Sequence, residues 1–143
     1  MDGLMKGKRG LVMGVANDHS IAWGIARRLA DQGAEMAFTY QGEAFGRRVK
    51  PLAEKVGASL VLPCDVEDSA SVDTVFQTLG SEWGSLDFVV HAIGFSDKNE
   101  LKGLYADTTK ENFVRTMVIS CYSFTEIARK AAALMPAGPF ASW

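Results

Sequence analysis

Short apolar runs alternate with longer stretches in which apolar residues recur at helical spacing. Arg9 to Val15 (RGLVMGV) is such a run, with Gly14 near its end, the pattern of a parallel strand buried on both faces. Ser20 to Gln32 (SIAWGIARRLADQ) places Ile21, Ile25 and Leu29 at i, i+4 and i+8, with Arg27, Arg28 and Asp31 opposite. That predicts a helix with Ser20 as its N-cap and Gly33 as its stop. Ala34 to Tyr40 (AEMAFTY) predicts a second strand, and about Glu43 to Val56 a helix basic along Arg47, Arg48 and Lys50. Pro51 is expected to bend or break that helix. Ser59 to Cys64 (SLVLPC) predicts a third strand, closed by Asp65. Ser69 to Trp83 sets Val72, Val75, Phe76 and Leu79 on one helical face, and Leu86 to Ile93 (LDFVVHAI) predicts a fourth strand ending at Gly94. A polar loop then leads into a long helix from about Lys110 to Leu134, in which Met117 and Phe124 face the core by spacing.

Strands separated by helices of about ten or more residues form βαβ units. The fold class implied is α/β: a Rossmann-like, doubly wound parallel sheet, strand order 3-2-1-4, reaching as far as the long helix after strand 4. Right-handed crossovers leave few other orders. A ligand then belongs over the carboxyl ends of strands 1 and 4, where the winding direction reverses. No internal repeat, low-complexity tract or linker interrupts the pattern.

Composition narrows the partners. The 143 residues are 48% hydrophobic and 22% charged, as in one globular domain, and the net charge of −2 carries no basic footprint for nucleic acid. No apolar run approaches the roughly 18–20 residues of a membrane span, and Met1 to Lys8 lacks the apolar core of a signal peptide. A cytoplasmic protein, free of membrane, is expected. Cys64 and Cys121 stand far apart without CxxC spacing and read as small buried thiols. His19 and His91 have no ligand cluster around them, so no metal is expected; His19 reads as a loop residue and His91 as strand-end packing. Glu54/Lys55 and Glu67/Asp68 read as solvated faces.

The first strand-to-helix turn, GVANDHSIAWGIA, holds the candidate chemistry. Gly14 lets backbone approach a phosphate, and the free N–H groups around Ser20 and Ile21 carry the positive end of the helix dipole. The Ser20 hydroxyl adds a hydrogen bond, and Gly24 allows close packing of the helix on the sheet. An ordinary serine-capped turn has the same pattern. The other strand ends shift the balance. Gln41 stands where an acidic residue usually takes the adenosine ribose, which leaves NADH or NADPH open on residue chemistry alone. Arg47 and Arg48 lie nearby. Asp65 and Val66 offer a carboxylate for an adenine amine beside an apolar wall, or, for Asp65, a helix cap. Ile93 and Gly94 put backbone beside the ribose and nicotinamide positions.

Together these stretches resemble the NADH-dependent enoyl-[acyl-carrier-protein] reductases of bacterial fatty-acid synthesis, a branch of the short-chain dehydrogenases. GKRGLVMGVANDHSIAWGIA, GAEMAFTYQ, VLPCDV, SLDFVVHAIGF and ISCYSF stand in the family's order and spacing, up to about Met135. The resemblance implies that Gly14, Ser20 and Ile21 hold the pyrophosphate of NADH/NAD, Gln41 the ribose, and Asp65 and Val66 the adenine. It places Ile93, Gly94 and Ile119 beside the cofactor, and Phe95 and Ser96 at the mouth of the acyl pocket. It further implies an enoyl substrate carried on acyl carrier protein and a homo-oligomer, a tetramer in the parent family. Part of the long helix then faces a partner chain.

In that family a Tyr-x6-Lys pair stabilises the enolate and holds the cofactor ribose. No lysine follows Tyr40, Tyr105 or Tyr122 at that spacing, so no catalytic residue is assigned. Residues 1–135 are read as the N-terminal half of the dinucleotide-binding domain, and 136–143 (PAGPFASW) as an atypical tail of truncated or frameshifted origin. The 143-residue chain alone is expected to be inactive, with strand 4 as an exposed edge prone to association. Another short-chain dehydrogenase, or a non-catalytic dinucleotide-binding module, remains the alternative.

Overall fold

The structure is a computed structural model and describes residues 3–136. Four parallel strands form one sheet in the order β3-β2-β1-β4: β1 (Arg9–Met13), β2 (Glu35–Tyr40), β3 (Leu60–Pro63) and β4 (Phe88–His91). The register runs Leu11 beside Ala37 and Val89, and Phe38 beside Val61. This is the doubly wound arrangement anticipated, each strand shorter than its apolar run because the flanking residues turn into the loops. The expected tail lies, from residue 137 on, outside the described residues.

Alternation along the strands sends side chains to two layers. Leu11, Met13 and Ala37 pack under α3 (Ser69–Trp83) and α5 (Ser123–Ala132), against Val75, Leu79 and Ile127. Val12, Met36 and Phe38 pack on the opposite face under α1 (Ile21–Asp31) and α2 (Glu43–Lys55), against Trp23, Ala26 and Val49. The central strands are buried on both faces, whereas β4 is half-buried along its length.

Three expectations about the helices are corrected. The sheet-facing side of α1 is Ala22, Trp23 and Ala26; Ile21 is 81% exposed and Ile25 38%. Small alanines bring the helix axis close to the sheet and turn the larger isoleucines outward. Gly24 is exposed, and a Cβ there would meet nothing within 4 Å, so it is not what permits the close packing. Helix α2 runs through Pro51 without a break. The missing proline N–H falls on an exposed face, where the freed Arg47 carbonyl is not shut away from solvent.

The long final helix is continuous but not uniform. α4 (Lys110–Met117) passes into a π-helical turn at Val118–Tyr122 before α5. Met117 and Phe124 are 45% and 56% exposed, not core-facing as their spacing implied; Ile119, Ser123, Glu126, Ile127 and Ala131 are the buried positions of this run. Cys121 on that turn is exposed, while Cys64 is buried as expected. At the other end of α5, Lys130 Nζ reaches Asp73 Oδ1 at 2.6 Å and Glu126 Oε1 at 2.8 Å, tying α5 to α3. The Lys130 hydrogen bond holds the buried Glu126 carboxyl below its ordinary range, so it stays ionised.

Candidate functional site

The end of β1 is shaped by its neighbour. Gly14 has φ of 105°, the left-handed region, and a Cβ there would collide with the Ala92 carbonyl at the end of β4. The chain's own backbone therefore demands this glycine, before any phosphate does. In the turn that follows, the Ala16 and Asn17 N–H groups donate to Ser20 Oγ at 2.9 and 3.1 Å. Ser20 occupies the N-cap position of α1, but its hydroxyl folds backward into the loop and makes no cap bond. Its N–H is engaged as well, donating to the Asn17 carbonyl at 3.2 Å. The expectation of a free Ser20 amide is thus corrected. The hydroxyl keeps its own proton to donate. Ile21 and Ala22 N–H find no acceptor among the described residues, and they carry the positive end of α1.

A cleft of about 260 Å³ opens over the carboxyl ends of the strands. Of the anticipated residues it gathers Gly14, Gln41, Asp65 and Val66 on one side and Ile93, Gly94, Phe95 and Ile119 on the other. Ser20, Ile21 and Ser96 do not line it. Ser20 acts through Ala16, which does, and Ser96 Oγ is held by Asn112 Nδ2 at 3.2 Å. Asp65 is not the cap of α3. That role falls to Asp68, which accepts from Ala70 N–H at 3.0 Å. Asp65 Oδ1 instead accepts from Glu67 N–H at 2.9 Å, and its own N–H donates to Ser71 Oγ.

The opposite wall is tied to the helix above it. Phe95 N–H donates to Ser120 Oγ at 2.9 Å, and Asp97 N–H donates to Asn112 Oδ1 at 3.1 Å. The π-helical turn places both Ile119 and Ser120 toward this rim, a placement that 3.6-residue periodicity does not reveal. Gly94 differs from Gly14: no left-handed φ is required, and a Cβ would meet only Ser120 Oγ at 3.9 Å. Nothing in the chain itself calls for glycine there.

A model of the enoyl-(acyl carrier protein) reductase family matches residues 14–142. The chain belongs to this family. It is 73% identical over 138 residues to the NADH enoyl-[acyl-carrier-protein] reductase 2 of Rhizobium meliloti (strain 1021), covering 96% of this chain and 52% of that protein. The crystal structure of the Anaplasma phagocytophilum enoyl-(acyl-carrier-protein) reductase, in complex with NAD, superimposes with a TM-score of 0.89 at 60% identity, covering 94% of this chain and 51% of that one. The FabI structure from Candidatus Liberibacter asiaticus gives a TM-score of 0.92 at 59% identity, covering 95% and 53%. The chain spans about half the length of the curated relatives it matches.

Within this family fold, several cleft residues escaped the reading of strand ends. Cys64 lines the cleft, and burial pushes its thiol up to about 11, so it stays protonated. Its place at the end of β3 was legible; its position in the wall of the cleft was not. Arg115 and Glu67 also line the cleft; Glu67 is exposed, as a solvated face should be, but it is not without a partner. Its carboxylate pairs with Arg115, whose hydrogen bonds hold it below the ordinary carboxylate range. No motif marks a pair so distant in sequence. His91 packs edge-on against Phe124, and its Nε2 meets Ser123 Oγ at 2.8 Å. Ser123 Oγ also lies 2.6 Å from the Ile119 carbonyl, so this one hydroxyl links the imidazole to the backbone of the π-helical turn. His19 is an exposed loop residue. Among the described residues no cluster of metal-ligating side chains occurs, and no helix is long and apolar enough to cross a membrane.

Proposed function

We propose that this chain supplies the NADH-binding part of an enoyl-[acyl-carrier-protein] reductase, which reduces the trans-2 double bond of an enoyl group in fatty-acid elongation. The observation that carries the reading is the cleft on the winding reversal, which gathers Gly14, Gln41, Asp65, Val66, Ile93, Gly94 and Ile119; the unpaired Ile21 and Ala22 amides at the start of α1, outside its lining, add support. The residues fit a dinucleotide. The α1 amides and the Ser20 hydroxyl proton face a diphosphate, and Gln41 offers its amide to the ribose. Asp65 and Val66 flank the adenine. Gly94, unconstrained by its own surroundings, leaves room for the nicotinamide end next to Ile93 and Ile119.

The nicotinamide, when bound, supplies the hydride. This chain's part is to bind and orient it, and Phe95 and Ser96 form the entrance for the acyl group. The enolate-stabilising tyrosine and its lysine are supplied by sequence outside these residues. The exposed apolar side chains Phe113, Met117, Tyr122 and Phe124 on the last helical run support a face for a second copy in a cytoplasmic homo-oligomer. Fluorescence titration with NADH and NADPH tests the binding role: saturable binding, tighter for NADH, is expected. Absence of saturable binding by the folded chain would reject it. Reduction of an enoyl thioester after supplying the remaining length of a relative tests the activity.

A further inference from the structure

Arg115 bridges the two rims of the cleft. From α4 its Nε donates to both Glu67 carboxylate oxygens at 3.2 and 3.1 Å, and its Nη2 to Oε1 at 2.9 Å. The guanidinium carbon also lies 4.6 Å from the centre of the Phe95 ring. Glu67 directly follows Val66 in the loop after β3, and Phe95 directly follows Gly94 in the loop after β4. One side chain thus touches both loops that carry the anticipated adenine and nicotinamide positions. The β4 loop has other ties to the helix through Ser120 and Asn112. Among the described residues, the β3 loop has no other side-chain hydrogen bond to α4.

We propose that the Glu67–Arg115–Phe95 chain is a strap that sets the width of the cleft, with Arg115 a positioning residue for the dinucleotide. This rests on the dinucleotide reading above. The fork geometry of guanidinium matters: it holds a carboxylate in two-point contact while its flat face rests on an aromatic ring, which an ammonium cannot do. The pair is half-exposed, where ion pairs add little to folding, so its consequence is geometric. Arg115 is the cation among the cleft-lining side chains, and Glu67 neutralises it, leaving Asp65 as the uncompensated charge.

Cys64, which lines the same cleft, reports its opening. Cys121 is the other cysteine, so Cys121→Ser leaves Cys64 as the single thiol. In that background, the alkylation rate of Cys64 and the NADH dissociation constant are measured for the parent, Arg115→Ala, Arg115→Lys and Glu67→Gln. Arg115→Ala and Glu67→Gln are expected to speed labelling and weaken NADH binding about fivefold, the effect of losing one well-formed ion pair. Arg115→Lys is expected to recover less than half of either effect, with melting temperatures unchanged across the set. Unaltered labelling in Arg115→Ala overturns the strap. Faster labelling with unaltered NADH affinity overturns its positioning role. If the parent neither binds NADH nor is protected by it, the dinucleotide reading fails, while the ratio of labelling rates still decides whether the strap exists.

Discussion

The two walls of the cleft are made of different material. The wall from Gly14 to Ser20 is backbone: a left-handed glycine against the Ala92 carbonyl, and a turn closed by two N–H groups on one hydroxyl. The facing wall is side chain: Phe95 on Ser120, Asp97 on Asn112, and Arg115 joining Glu67 to Phe95. Backbone geometry has few solutions, so the first wall tolerates little change. Side-chain bridges can be lost one at a time, so the second wall is adjustable. The two rim glycines show this most sharply, since the same added methyl collides with a carbonyl at Gly14 and makes only an ordinary contact with Ser120 Oγ at Gly94.

That contrast breaks most visibly at Gly14. Gly14→Ala is expected to cost about 3 kcal/mol or more, from a disfavoured φ together with a backbone collision. A urea midpoint equal to that of the parent would contradict the account. Ser20→Ala removes the acceptor for two loop amides and is expected to cost about 1–2 kcal/mol, with weaker NADH binding. Binding and stability equal to the parent's would show that the loop holds itself without the hydroxyl.

A smaller effect belongs to pH. Burial holds the His91 pKa below its ordinary 6.5, so the unfolded chain takes up this proton first as pH falls. Stability should therefore decline from about pH 6.5 downward and level off below the folded value. Urea midpoints between pH 7.5 and 5 measure this, and a slope that His91→Gln leaves intact would assign it elsewhere. The smallest effect on stability is expected for Gly94→Ala, within about 0.5 kcal/mol of the parent, while NADH binding weakens. Undiminished NADH affinity in a folded Gly94→Ala chain would show that nothing needs the space beside Gly94.

Much of this architecture was legible in the linear pattern, and the misses have a common physical origin. Apolar runs separated by amphipathic stretches specify a parallel sheet, and the crossover rule orders it. Gly14, Gln41, Asp65, Val66, Ile93 and Gly94 follow as strand-end residues, since each apolar run has a definite end. Helical faces were less certain. In α1 both an isoleucine row and an alanine row run at helical spacing, and only the sheet decides between them, taking the small residues for close approach. On the last helix a π-helical turn interrupts the 3.6-residue period after Met117, so spacing alone does not carry a face across it.

What the sequence by itself determined is the set of elements, their order and the residues brought to one rim, because these depend on local periodicity and chain connectivity. The tertiary structure alone decided which way each polar group on that rim is committed. Ser20 turns back to its loop, Asp68 rather than Asp65 caps α3, and Arg115 finds Glu67 across 48 positions of chain. Such pairings depend on distances of a few ångströms between segments that the chain brings together only once the sheet has formed.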